Sequence, residues 1–231
     1  MNDPKPYLTA DSLDELLTKL KADCCLANKL PNRLRCERLQ INKFLFAASE
    51  NMHAFPLEIT HTTEINPDFK LRMAGRTIGI EASRIANPRL EERRVHAKRP
   101  FDSTPYLVES GNSSQELKNQ SALNSQFFQG YTADQQDDYW LKKAKEIIVT
   151  KTQRLNASNF FHYDETWLVL VDTLSLCKAE LLWRSETLRG DCVWFWKKPK
   201  WFTKIVIESH DLDKFVVMDP NGCFEFQAEI H

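Results

Sequence analysis

The sequence predicts an α/β protein, a central mixed β-sheet flanked by helices, with two helices at its N-terminal end and a β-hairpin extension at its C-terminal end. Helix-period and strand-period segments alternate along the chain, the order expected when helices cover a sheet. The string WLVLV, Trp167 to Val171, is apolar at consecutive positions, as in a strand buried on both faces. The segments DFKLRM and TIGIEASRI alternate instead, as an antiparallel pair with one polar face does. The 231 residues suffice for a sizeable core. No repeat or compositional shift divides them, so residues 1–231 are read as one domain, with a core of about 32–175 and a β-rich extension of about 176–231.

The elements follow in order. Ser12 to Glu15, SLDE, has the form of a capping box and opens a helix to about Asn28. Pro31 separates it from a second helix, about Asn32 to Met52, which places Leu34, Ile41, Leu45 and Ala48 on one face and the charged Glu37 on the same stripe. From Leu57 to Ile85 the pattern is strand-like. Ala86 to Gln136 is polar and reads as an elaborated loop carrying the basic run RRVHAKRP. A third helix, about Asp137 to Leu155, sets Trp140, Ala144, Ile147, Ile148 and Leu155 on a common face, with Lys151 along that stripe. The acidic run DQQDDY at its start suits the positive end of the helix dipole. Strands TWLVLVDT and WFTKIVIES follow, then a hairpin in which FVVM and CFEFQAEI flank the turn DPNG.

Composition excludes several function classes. Lys plus Arg is 31 and Asp plus Glu is 32, so a net charge of −1 provides no whole-molecule field, and any polyanion must be held by a local patch. Only six residues are glycine, and no GxGxxG, GxxxxGK[ST] or GxSxG string occurs, which removes support for dinucleotide, P-loop and nucleophile-elbow chemistry. No apolar run approaches the ~18 residues of a membrane span. Met1 to Ala10 has neither a basic leader nor an apolar core, so a cytoplasmic address and no membrane partner are expected. The six cysteines contain no CxxC pair and are read as reduced thiols, and the six histidines lack metal-ligand spacing. The stretch WFWKKPKW interleaves Trp194, Trp196 and Trp201 with Lys197, Lys198 and Lys200. It reads either as solvated lysines around an aromatic cluster or as a phosphate-binding groove.

The most informative stretch is PDFKLRMAGRTIGIEAS. If Ala74 and Gly75 form a two-residue turn, Phe69 faces Ile80 and Leu71 faces Ile78 on one side, while Asp68 lies opposite Glu81 on the other. Alternation sends Lys70, Gly79 and Ser83 to the polar side as well. Like charges on cross-strand Cβ atoms about 4.5–5.5 Å apart repel unless something sits between them. A hard divalent cation, Mg²⁺ or Mn²⁺, suits two carboxylates at that spacing.

These residues resemble the PD-(D/E)xK nuclease superfamily, in the string PDF, the twelve residues after Asp68, and IGIEASRI. The resemblance implies a restriction-endonuclease-like fold and Mg²⁺- or Mn²⁺-dependent cleavage of nucleic acid, usually DNA. It also implies Asp68 and Glu81 as metal ligands, with a helix-borne carboxylate nearby for which Glu37 is the best match. The lysine expected two positions after Glu81 is Ser83. Branches of the superfamily with E-x-S or E-x-T supply the cation from elsewhere. Lys151 is the leading replacement and Lys70 the second. The low net charge suggests a guided, tethered or oligomeric enzyme, a homodimer or one with a partner protein, and analogy suggests bacterial or phage defence. The rival expectation is a catalytically inactive nuclease-like module that binds nucleic acid or a protein partner.

Overall fold

The computed structural model describes residues 5–27, 32–48, 54–62, 67–86, 128–156, 163–174, 181–198, 200–209 and 214–227. Most of the segment read as an elaborated loop, including RRVHAKRP, lies outside them. Among the described residues, eight strands form one mixed sheet and four α-helices cover it. In chain order the elements are β1 (Leu8–Ala10), α1 (Leu13–Ala27), α2 (Asn32–Ala47), β2 (Leu57–His61), β3 (Phe69–Met73), β4 (Arg76–Ile85), α3 (Ala133–Leu155), β5 (Glu165–Asp172), α4 (Leu181–Asp191), β6 (Lys204–Ser209), β7 (Lys214–Met218) and β8 (Cys223–Gln227). The strands lie side by side in sequence order. The pairings β4–β5 and β5–β6 are parallel, and all others are antiparallel. Parallel neighbours need a crossover, and α3 and α4 supply the two. No helix among the described residues is long and apolar enough to cross a membrane.

Side-chain alternation divides the core into two layers. On one face α1 and α2 press Leu16, Leu20, Ile41 and Leu45 against Leu57, Ile59, Phe69, Leu71, Ile78, Ile80 and Val169. On the other face α3 and α4 press Trp140, Ala144, Ile148 and Leu188 against Ile85, Leu168, Leu170, Ile205 and Ile207. The successive residues of β5 therefore serve both layers, which accounts for its unbroken apolar run. Strand β6 pairs in parallel with β5, so the C-terminal strands complete the same sheet that the core expectation ended at about residue 175.

Three elements differ from the sequence expectation. Helix α3 begins at Ala133, before Asp137, because Thr132 and Gln135 form a reciprocal capping box. Asp137 lies beyond the first turn and accepts from Arg184 Nε at 2.8 Å. Helix α4 was not expected at all: its buried stripe, Leu181, Arg184, Ser185 and Leu188, has helical spacing but is half polar. Strand β1 is only three residues long, at the sheet edge.

The β3–β4 hairpin has the expected register, with Phe69 opposite Ile80 and Leu71 opposite Ile78. Ala74 and Gly75 both have positive φ, 47° and 79°, as a two-residue turn matching the strand twist requires. A residue with a Cβ is strained there. Ala74→Asn, which tolerates this conformation, is expected to raise stability by about 0.5–1 kcal/mol, seen as a higher urea midpoint at unchanged m-value. Cys192 and Cys223 are free thiols, and burial pushes both up to about 11, so neither is a thiolate at neutral pH.

Candidate active site

The hairpin register carries Asp68 and Glu81 to the same place. Just before β3, the Asp68 backbone carbonyl accepts from Thr62 N at 2.9 Å, which extends the β2–β3 ladder by one residue. Its side chain then bridges to β4, where Oδ2 accepts from Ala82 N at 2.9 Å. Glu81 lies in mid-strand with its side chain on the α3 face, and the residue is 1% exposed. The structure thus brings both carboxylates to the polar side of the hairpin, as the alternation predicts.

Lys151 comes from α3, one position before the buried Thr152 and three after the buried Ile148. Its Nζ donates to Glu81 Oε2 at 2.5 Å and lies 3.9 Å from Asp68 Oδ2. One ammonium therefore reaches both carboxylates. Burial, and then the negative charge of Asp68, push the Glu81 carboxyl above its ordinary value, while Lys151 and Arg154 pull it back. The second oxygen, Oε1 of Glu81, is buried with no hydrogen-bond partner. An unsatisfied anionic oxygen in a low-dielectric interior is costly, and a proton, a water or a cation would each satisfy it.

The remaining predicted residues distribute as follows. Ser83 stands two positions beyond Glu81 on the same face, and its backbone carbonyl accepts from Gln40 Nε2 at 3.2 Å. Lys70 pairs with Gly79 in the register and belongs to the Asp68 side by alternation. The ammonium that Glu81 engages is that of Lys151. Glu37 is a correction. It lies on the sheet-facing side of α2, but α2 covers the opposite face, where Glu37 Oε2 sits 3.3 Å from His61 Nε2 and the His61 ring stacks on Phe69 at 4.4 Å. Among the described residues no three His, Cys, Asp or Glu side chains are placed to hold one ion together. The acidic pair is Asp68 and Glu81, without Glu37 as a third member.

Tyr163 and Arg154, neither singled out from the sequence, also stand near the cluster. A Cβ at Gly79 would lie 2.8 Å from Tyr163 Cδ2 and 2.9 Å from Pro67 Cγ, so only glycine lets these rings close over the strand beside Glu81. A glycine inside a strand is the available signal for such close packing. Arg154, three positions after Lys151 and exposed, adds a positive charge that acts on Glu81. Comparison with family models, curated proteins and solved structures finds no match to this chain.

Proposed function

We propose that this protein is a Mg²⁺- or Mn²⁺-dependent nuclease of PD-(D/E)xK type, on a restriction-endonuclease-like fold, that hydrolyses phosphodiester bonds in DNA. The observation that carries this reading is the buried, partnerless Oε1 of Glu81 in a cluster where Asp68 and Lys151 converge. A hard divalent ion binds through one or two carboxylates plus substrate phosphate, and the donor set fits that description. Asp68 and Glu81 would hold the ion, which when bound supplies positive charge against the negative charge that develops on phosphorus.

The chain's own groups do the rest. The Ala82 amide fixes the Asp68 carboxylate, so it needs no reorganisation when substrate arrives. Lys151, anchored on Glu81 Oε2, has further N–H donors free in its ammonium geometry to orient the attacking water or a non-bridging phosphate oxygen. Tyr163 and Pro67, packed over Gly79, shield the floor from bulk water.

The test is plasmid incubated with Mg²⁺ or Mn²⁺. Cleavage is expected, falling about a hundredfold to a thousandfold in Asp68→Asn and Glu81→Gln. Cleavage that persists undiminished in Asp68→Ala and Glu81→Ala overturns the site.

A second reading, an inactive nuclease-like module that binds nucleic acid or a protein partner, draws on Ser83 at the motif-lysine position and on Glu37 being turned to His61. Mn²⁺ separates the two: an intact site raises the thermal midpoint with the logarithm of Mn²⁺ concentration above Kd, and the module does not respond.

A further inference from the structure

The geometry points to a docking platform for single-stranded nucleic acid beside the Asp68–Glu81–Lys151 cluster, formed by Lys197, Lys198, Lys200 and Trp201. It deepens the nuclease reading and rests on it for the identity of the cluster. In a chain whose net charge is −1, the stretch from Cys192 to Ile207 carries four lysines and no acidic residue. The fourth, Lys204, lies 4.8 Å over the Trp167 ring, which belongs to the α1/α2 layer, so it stands apart from the other three.

Packing explains why the others face outward. Phe195 and Phe202 are fully buried in the α3/α4 layer, with stacked rings 6.2 Å apart; Phe195 opens a short 3₁₀ turn, Phe195–Lys197, and Phe202 lies five residues past its end. Between these anchors Lys197 and Lys198 are exposed, and Trp201 is 36% exposed. Lys198 Nζ stands 5.9 Å over the Trp194 ring. Trp194 and Trp196 are thus held against the core while Lys197 and Lys198 remain in water and Trp201 lies at the surface beside Lys200.

Two hydrogen bonds place this surface next to the site. Asn156, the C-cap of α3, donates from Nδ2 to the Lys200 carbonyl at 3.0 Å, and it follows Lys151 by about 7–8 Å of helix rise. Thr203 N donates to Thr166 O at 2.7 Å, and Thr166 pairs with Gly79, two residues from Glu81. Exposed Arg154 lies between the two on α3. A positive path therefore leads from the cluster to Lys200 and on to Lys197 and Lys198. An aromatic face beside it favours unstacked bases, because bases inside a duplex already stack on their neighbours.

The experiment measures fluorescence anisotropy of a fluorescein-labelled oligothymidylate titrated with the full chain in EDTA, over a series of salt concentrations. Lys197→Ala/Lys198→Ala/Lys200→Ala is expected to weaken binding at least tenfold and to reduce the log–log salt slope by about 2, three phosphates at ~0.7 each. Trp201→Ala is expected to cost about tenfold through lost stacking, with thermal midpoints unchanged because all four side chains reach solvent. Unchanged oligothymidylate binding in the lysine variant overturns the platform, as does absence of binding by the wild type. Equal competition by oligoglutamate with a silent Trp201→Ala reassigns the surface to an acidic peptide and overturns it too. If the wild type leaves plasmid intact while the lysine and tryptophan variants lose oligothymidylate, the nuclease reading fails and the platform stands.

Discussion

Lys151→Met is expected to lower stability by about 3–5 kcal/mol at neutral pH, because it removes the cation from a buried pair and leaves the anion behind. The Lys151 and Glu81 side chains are only 13% and 2% exposed, so solvent screens neither. A lysine merely at the rim of the apolar stripe would cost less than about 1 kcal/mol. The loss should also depend on pH in a definite direction. The Glu81 carboxyl is already raised by burial and by Asp68, so its contribution to stability is fully present below the ordinary carboxylate value and is lost as pH rises through the raised one. Lys151 is among the groups pulling it down, so the variant shifts that window further upward. Urea unfolding of the variant, followed from about pH 5 to 8, should therefore show stability falling with pH more steeply than in the wild type. The double substitution Lys151→Met/Glu81→Gln should recover most of the loss. A flat pH profile in the single variant would exclude Glu81 as the residue left uncompensated.

Arg184→Met is the second large effect, expected at about 3 kcal/mol by the same rule for a broken buried pair. The Arg184 side chain is 4% exposed; Nε donates to Asp137 at 2.8 Å, and Nη1 lies 3.8 Å from Asp172. Asp172 is itself buried at the end of β5, accepting from Trp140 Nε1 at 2.8 Å and from the Leu174 amide at 2.9 Å. One guanidinium thus joins α4 to the start of α3 and to the central strand. Arg184→Lys should recover little, since an ammonium cannot present the planar fork to both carboxylates. Arg76, whose side chain is 72% exposed and 3.5 Å from Glu165, serves as the control, and Arg76→Met should leave the urea midpoint nearly unchanged.

Much of the hairpin and its acidic pair was legible because two independent patterns had to agree. The Ala74–Gly75 turn sets the register, and alternation then decides which side chains share a face, so Asp68, Glu81, Gly79 and Ser83 follow together. Lys151 was legible as a charge on an apolar helical stripe. The same logic places Glu37 on a sheet-facing stripe, yet its carboxylate meets His61 on the other face. Periodicity shows that a side chain points toward the sheet, but not which of the two sheet faces its helix covers, and α2 and α3 cover opposite ones. Helix α4 stayed hidden because Arg184 and Ser185 occupy half of its buried stripe, their polarity satisfied by Asp137 and by the Leu181 carbonyl. In the basic–aromatic stretch, spacing alone does not separate anchored rings from exposed lysines; the burial of Phe195 and Phe202 does.

The carboxylates and the ammonium come from stretches of chain on either side of residues 87–127, and this bears on assembly. The hairpin sets two carboxylates on one face, where the Ala82 amide engages Asp68. The third helix brings an ammonium that reaches both, so packing of its layer and neutralisation of the acidic pair stand or fall together.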